Sequence, residues 1–232
     1  MTLYQFVLYH VRHGLLMLVV FMFVGAILMV DGYMTKNRKY GGVIILNGPS
    51  AVGKSSIIRA FQAKKSEPWL GIGIDNFFVG VLPPKFYLED KPQHREVMYG
   101  VATEDAQGKL FTLHIGAQGQ KIIKGMHRAI AAYAQAGNNV IVDYIMYDPA
   151  WHNDLMNALS GIKVISVGVT AALPVVEARE KIRATSPQGH ARSVYESTHQ
   201  GWKYDLTLNT DDMTPEQSAD RIIEYMKIEN TR

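Results

Sequence analysis

The chain has 232 residues, which is enough for one α/β domain with a short appendage and too few for two domains of ordinary size. Hydrophobic residues make up 47% and charged residues 19%, as in a folded globular protein. The net charge of +3 lacks the clustered Lys and Arg of a nucleic-acid binder, so we expect no nucleic-acid partner. There is no cysteine, which excludes disulfides, zinc–thiolate sites and thiol catalysis.

The first 33 residues differ in composition from the rest of the chain. Residues 14–30 form an apolar run of seventeen residues without a charge, the lower limit for a membrane-spanning helix. Lys36, Arg38 and Lys39 follow, and this positive side would keep the main domain at the cytoplasmic face of the membrane. A cleaved signal peptide fits less well, because no small-residue cleavage site follows the run. Two interpretations remain: an anchor to the inner face of the membrane, or a protein that begins at Met34.

From residue 41 onward, short β-branched runs alternate with helical patterns. This alternation predicts an α/β fold, a parallel sheet with helices on both faces, in one domain over residues 41–229, preceded by an apolar N-terminal helix. The segment 85–113 shows no clear period, and we interpret it as irregular or as an insertion that covers the substrate. We predict strands at 43–46, 69–74, 140–143, 163–170 and 206–208, and helices at 54–64, 116–136, 176–183 and from Pro215 onward.

A phosphate-binding motif follows the first predicted strand. The residues Gly48, Pro49, Ser50, Ala51, Val52, Gly53, Lys54 and Ser55 fit G-x-x-x-x-G-K-[ST], between a strand and a helix. Glycines allow consecutive backbone N–H groups to face phosphate oxygens, and the helix adds its positive N-terminal end. Lys54 is suited to the β- and γ-phosphates, and the Ser55 hydroxyl is suited to Mg²⁺. We therefore predict binding of ATP and Mg²⁺ at this loop.

Other P-loop classes lack their defining motifs here. A GTPase needs N-K-x-D for guanine, which is absent, and residues 105–108 match D-x-x-G without a preceding strand, as a turn would. An ABC ATPase needs L-S-G-G-Q, and residues 159–161 match only its first three positions. The remaining class with one short domain is the small-molecule kinase.

Two aspartates end predicted strands, at the edge of the sheet where α/β proteins bind ligands. Asp75 is suited to accept the proton of a substrate hydroxyl, and Asp143 resembles the acid that holds Mg²⁺ together with Ser55. Each could instead cap a turn or a helix.

Two arginines and several aromatic residues complete the candidate site. Arg179 and Arg183 lie four residues apart, which places them on one face of a helix, as a phosphate-closing lid or as a solvated surface pair. The aromatic residues that follow strand ends could line an acceptor pocket or pack in the core; they are Phe77, Phe78, Tyr144 and Tyr147.

In order along the chain, these segments resemble the chloramphenicol phosphotransferase-like family of P-loop kinases. The likeness extends over about residues 41–226 and includes the motif at 48–55, the segment ending at Asp75, the strand ending at Asp143, and Glu177 to Arg183. The resemblance implies ATP at the loop, Asp75 as catalytic base, and Arg179 and Arg183 facing phosphate.

The residues and the resemblance together predict an ATP-dependent O-phosphotransferase acting on a small hydroxylated molecule, including an antibiotic. A kinase of nucleotides or nucleotide sugars is a second hypothesis, which the same fold would support. A membrane-tethered ATP-binding regulator with little turnover is a third. Retention of Asp75 argues against the third, since a protein that only binds ATP needs no acceptor base.

Overall fold

The computed structural model describes residues 40–88, 91–183 and 186–231. The apolar segment 1–33, with the predicted anchor or late start, lies outside the described residues. Within those residues, no helix combines the length and the apolar character that crossing a bilayer requires.

Fifteen main elements follow one another along the described chain. In order they are β1 (Val43–Asn47), α1 (Lys54–Lys64), β2 (Trp69–Gly73), α2 (Ile74–Phe78), α3 (Lys85–Leu88), β3 (Met98–Asp105), β4 (Gly108–Ile115), α4 (Ala117–Gln135), β5 (Asn139–Tyr144), α5 (Ala150–Ala158), β6 (Val164–Thr170), α6 (Leu173–Ile182), α7 (His190–Val194), β7 (Leu206–Asn209) and α8 (Pro215–Thr231).

Five strands form one parallel sheet in the order β2-β5-β1-β6-β7. The central strand β1 pairs with β5 on one side and with β6 on the other. Parallel neighbours require crossover connections, and the helices between the strands supply them. The predicted α/β fold with a parallel sheet is confirmed.

The sheet is covered on both faces. Along β1, Val43 and Ile45 point to one face and Ile44 and Leu46 to the other, and all four side chains are buried. Helices α4 and α5 pack on the first face through residues such as Ile130. Helices α1 and α8 cover the second face. Burial on both faces is why residues 43–46 of β1 are apolar without alternation.

The segment 85–113, expected to be irregular, contains regular structure. It holds α3 and an antiparallel hairpin of β3 and β4, whose register runs from Met98 opposite Ile115 to Asp105 opposite Gly108. The turn is stabilised by the Asp105 carboxylate, which accepts a hydrogen bond from the Gln107 N–H at 2.8 Å. Much of β3 is exposed and shows no apolar alternation. In β4, residues 111–115 do alternate between apolar and polar side chains, a strand pattern that sequence reasoning missed.

A buried polar network joins α4 and α5 to the end of β5. The His127 ring is fully buried; its Nδ1 lies 2.6 Å from an Asp154 carboxylate oxygen, and its Nε2 lies 2.9 Å from the Tyr144 hydroxyl. Arg128 donates to both oxygens of Asp154 at 2.6 and 2.8 Å. Burial lowers the pKa of His127 below its ordinary value, although Asp154 opposes this shift. The imidazole is therefore neutral near neutral pH.

We expect the stability of this domain to fall as the pH drops below about 6.5, the ordinary pKa of histidine. His127 binds its proton more readily in the unfolded chain, so acid stabilises the unfolded state. In urea unfolding followed by circular dichroism, His127→Gln should be less stable than the unmodified protein near neutral pH. It should also lose less stability on acidification. The exposed His114→Gln serves as control and should match the unmodified protein. An unchanged acid dependence in His127→Gln would contradict this prediction.

Candidate active site

The loop between β1 and α1 has the backbone conformation of a phosphate cradle. Ala51 and Gly53 adopt positive φ angles of 60° and 106°, which turn the chain sharply before α1 begins at Lys54. Left-handed backbone costs little at glycine, which explains the fixed Gly53 in this motif. At Gly48, a Cβ atom would come within 2.3 Å of the Val169 carbonyl oxygen, so only glycine fits there.

The Lys54 ammonium group is buried within this loop, with only 4% of its side chain exposed. It donates hydrogen bonds to the carbonyl oxygens of Gly48 and Pro49 at 2.7 and 2.8 Å. The Asp143 carboxylate lies 3.5 Å away. Burial lowers the pKa of Lys54, and the Asp143 charge opposes this shift. Lys54 is thus a positive charge aimed into the loop and held by three oxygen partners.

Ser55 and Asp143 meet because of the sheet register. Leu46 of β1 pairs with Asp143 of β5, which brings the carboxylate beside the start of α1. The Ser55 hydroxyl donates to an Asp143 oxygen at 2.6 Å. A hydroxyl and a carboxylate are the oxygen donors that Mg²⁺ prefers, so the residues present fit this ion.

Asp75 lies at the same edge of the sheet, although not at the end of a strand as expected. β2 ends at Gly73, and Asp75 is in the first turn of α2. The side chain that bonds the backbone at this helix start is Asn76, which accepts from the Gly73 N–H at 2.6 Å. The capping alternative for Asp75 therefore loses its basis.

The environment of Asp75 makes it a better proton acceptor. Desolvation by the surrounding protein raises its pKa, and the Asp143 carboxylate adds to this effect. The positive charges of Lys54 and Arg183 act in the opposite direction. Asp75 remains accessible from solvent, as a group that must meet a substrate has to be.

The two predicted lid arginines have different surroundings. Arg179 donates two hydrogen bonds of 2.8 Å to Thr210, one to its hydroxyl and one to its carbonyl oxygen. The Thr210 hydroxyl also lies 2.9 Å from the Val52 carbonyl oxygen of the loop. Helix α6 ends at Ile182, so Arg183 follows the helix with extended backbone and is exposed. The predicted pairing on one helical face is therefore not what the structure contains.

The aromatic candidates divide between core and site. Phe78 and Tyr144 are buried in the core beneath the sheet edge. Tyr147 is half-buried, and its hydroxyl lies 2.9 Å from Nε2 of His190. Phe111 of the hairpin contacts the same imidazole edge-on, with ring centres 6.2 Å apart. Sequence reasoning missed His190, because no local pattern connects it to residues in distant segments.

The short helix α7, which carries His190, is held by two further side chains that sequence reasoning missed. Glu180 is buried, and its carboxylate accepts from the backbone N–H groups of Gly189 and Ala191, both at 2.7 Å. Arg192 binds the hairpin turn, donating to Asp105 at 2.9 Å and to the Gly108 carbonyl oxygen at 2.6 Å. These contacts fix α7 against both α6 and the hairpin.

Solved structures of kinases share this fold. APS kinase CysC of Mycobacterium tuberculosis, in complex with AMPPNP and APS, superposes with a TM-score of 0.55 at 16% identity, covering 81% of this chain and 98% of that one. A sugar kinase from Janibacter gives 0.55 at 15% identity, covering 81% and 95%. The tunicamycin resistance protein of Deinococcus radiodurans gives 0.55 at 18%, covering 80% and 95%. At such identities the likeness concerns the fold alone.

Sequence relatives give a more specific result. Two Mycobacterium tuberculosis proteins, from strains H37Rv and CDC 1551, bear the name of O-phosphotransferases; each is 32% identical over 171 residues, 73% of this chain and 75% of the relative. Residues 41–227 match the family described as chloramphenicol phosphotransferase-like protein. The chain therefore belongs to the chloramphenicol phosphotransferase-like family.

Proposed function

We propose that the protein is an ATP-dependent O-phosphotransferase that moves the γ-phosphate of ATP to a hydroxyl group of a small molecule. The observation that carries this proposal is the meeting of three groups at one sheet edge. These are the buried cation Lys54, the oxygen pair of Ser55 and Asp143, and the carboxylate of Asp75 with its raised pKa. A protein that only binds ATP needs the first two, whereas the third is needed when the γ-phosphate is transferred to an oxygen nucleophile.

Each residue of the site would have a separate part in the transfer reaction. Lys54 and the loop N–H groups would hold the β- and γ-phosphates, and Ser55 with Asp143 would hold Mg²⁺, which offsets phosphate charge when bound. Asp75 would accept the proton of the acceptor hydroxyl. The oxygen of that hydroxyl would bond to the γ-phosphorus, while the bond between the γ-phosphorus and the oxygen that bridges it to the β-phosphate breaks and ADP is released. Arg183, whose charge already acts on Lys54 and Asp75, would offset charge on the transferring group.

The charges near the candidate acceptor position have both signs. The carboxylates of Asp75 and Asp143 act on the Tyr147 hydroxyl. The positive charges of Lys54 and Arg183, in contrast, act on Asp75. These charges do not distinguish an uncharged acceptor from a nucleotide, and the family description is what favours the first. The family description makes chloramphenicol the first acceptor to test.

The decisive experiment incubates the purified full chain with ATP, Mg²⁺ and a panel of hydroxylated compounds, including chloramphenicol and a nucleoside monophosphate. Mass spectrometry should detect an uncharged acceptor that has gained one phosphate. Lys54→Ala, which loses the side-chain cation of the loop, should form no product. Product formation by Lys54→Ala at a rate within about tenfold of the unmodified protein would contradict the phosphate-binding assignment.

Asp75→Asn should bind ATP with unchanged affinity while the transfer rate falls by about 10²–10⁴-fold, the usual contribution of a general base. The matched control is Asp148→Asn, because Asp148 bonds the Ala150 N–H at the start of α5, a structural role that asparagine can fill. Calorimetry with a non-hydrolysable ATP analogue would measure binding. If Asp75→Asn kept most of its turnover, Asp75 would not be the base.

The two arginines should respond differently to replacement by lysine, which keeps the charge but loses the planar fork. We expect Arg183→Lys to lower kcat without changing the affinity for the ATP analogue. Arg179→Lys should instead lower the melting temperature, because Arg179 joins α6 to Thr210. Steady-state kinetics and thermal melts of both variants test this division. If only Arg179→Lys lowered kcat, the catalytic role would belong to Arg179 and this prediction would be wrong.

A further inference from the structure

Tyr147 and His190 form a hydrogen-bonded pair between two parts of the fold that are distant in sequence. The Tyr147 hydroxyl and Nε2 of His190 are 2.9 Å apart, across 43 positions of sequence. Their rings are nearly parallel, with an angle of 6° and centres 5.8 Å apart. Trp151 contacts the far side of the pair at Tyr147, and Phe111 contacts it at His190. The pair is thus fixed on both sides by aromatic rings.

The sheet register puts this pair beside the reacting groups. Gly73 of β2 pairs with Asp143 of β5, so the chain segments that carry Asp75 and Tyr147 leave the same edge of the sheet. His190 approaches from α7, whose start is fixed by the buried Glu180 carboxylate. The fold therefore brings a hydroxyl–imidazole pair to the acceptor side of the candidate active site.

The protonation of the pair follows from its surroundings. Burial lowers the pKa of His190 to about 4, and the Lys54 charge adds to this effect, so the imidazole is neutral with one N–H group. Burial and the carboxylates of Asp75 and Asp143 raise the pKa of Tyr147, so its hydroxyl keeps its proton. A hydroxyl dipole orients in the local field. Mg²⁺ would offset the charge of Asp143, so the Asp75 carboxylate is the negative charge that draws the hydroxyl hydrogen toward the carboxylate side.

The contact of 2.9 Å allows either direction of the hydrogen bond, and the charge of Asp75 favours one of them. The Tyr147 O–H group points toward the carboxylate side, and its oxygen accepts the N–H of His190 Nε2. In the opposite arrangement the hydroxyl hydrogen would point at His190, away from the negative charge. A neutral imidazole has only one N–H group, so this arrangement leaves the other ring nitrogen, Nδ1, without a proton.

We propose that the Tyr147 hydroxyl donates a hydrogen bond to an oxygen atom of the acceptor molecule, and that His190 is a positioning residue that directs this hydroxyl by donating from Nε2. This proposal rests on the proposed phosphotransferase function, and it assigns the acceptor a hydrogen-bond-accepting oxygen near its reacting hydroxyl. His190 lies on α7 and is not part of the phosphate loop. ATP binding should therefore be independent of the pair.

The first test needs no acceptor. Nuclear magnetic resonance of the full chain with isotope-labelled histidine would report the tautomer of His190 near neutral pH, with His190→Gln used to assign its signals. We expect a proton on Nε2 and none on Nδ1. A proton on Nδ1, or on both nitrogens, would overturn the proposed direction of the hydrogen bond.

The second test uses chloramphenicol as the probe acceptor. Tyr147→Phe keeps the ring and removes the hydroxyl, so it should raise the KM for chloramphenicol about threefold to tenfold, the effect of one net hydrogen bond. His190→Phe should raise the KM for chloramphenicol by the same factor or a smaller one. His190→Gln, which keeps an N–H donor, should have a KM close to that of the unmodified protein. The KM for ATP should not change in any variant.

The double variant distinguishes positioning from mere packing. Because His190 acts through Tyr147, Tyr147→Phe combined with His190→Phe should have the same KM for chloramphenicol as Tyr147→Phe alone. Additive effects, or equal shifts in the KM for ATP, would overturn the proposal. If the unmodified protein does not phosphorylate chloramphenicol, the acceptor suggested by the family fails, and the histidine tautomer still decides the role of His190.

Discussion

The pairing of β5 beside β1 is the constraint on which the candidate site depends. It brings the Asp143 carboxylate to the start of α1, where one oxygen accepts from Ser55 and the other lies 3.5 Å from the Lys54 ammonium group. Burial raises the pKa of Asp75 and of Tyr147, and the Asp143 charge adds to both shifts. One carboxylate thus links the phosphate side to the acceptor side. A shift of one residue in the register would turn Asp143 to the other face of the sheet and separate these groups.

Two buried charges, Lys54 and Glu180, are tolerated because each has polar partners. An unpaired buried ammonium group or carboxylate would lower the free energy of unfolding by several kcal/mol, far more than one surface contact adds to it. Lys54 has two carbonyl oxygens and Asp143 as partners. Glu180 is 2% exposed and accepts from two backbone N–H groups of α7. The first arrangement keeps a cation ready for phosphate, and the second fixes the helix that carries His190.

The sequence predicted the phosphate side of the site well because its signals are local. A run of buried β-branched residues, two glycines and the Lys-Ser pair lie within thirteen consecutive residues, and the structure forms the loop they predict. Asp143 could be located as well, since the three residues before it in β5, Val140 to Val142, are apolar and β-branched. The loop and the strands can be recognised from short stretches of sequence. The parallel sheet is predicted because strand and helix patterns alternate along the chain.

The acceptor side could not be predicted in this way, because it depends on contacts between distant segments. β3 is too exposed to show alternation, although β4 shows it over residues 111–115. The position of the hairpin is fixed by Arg192, which is 87 residues from its partner Asp105. The prediction that Arg179 and Arg183 share one helical face required a helix that continues through Arg183, whereas α6 ends at Ile182. His190 gives no signal of its own until the fold brings it to Tyr147.

This division between local and distant contacts has a functional consequence. In the proposed function the phosphate loop binds the triphosphate of ATP, so its backbone geometry is constrained by that ligand. The acceptor would meet the hairpin and α7. Arg192 joins these two elements to each other, and Glu180 joins α7 to α6. Side chains on the hairpin and α7 can change without disturbing β1 or α1. A single kinase fold can therefore serve different acceptors, and the acceptor must be sought in the contacts of Tyr147, His190 and Phe111.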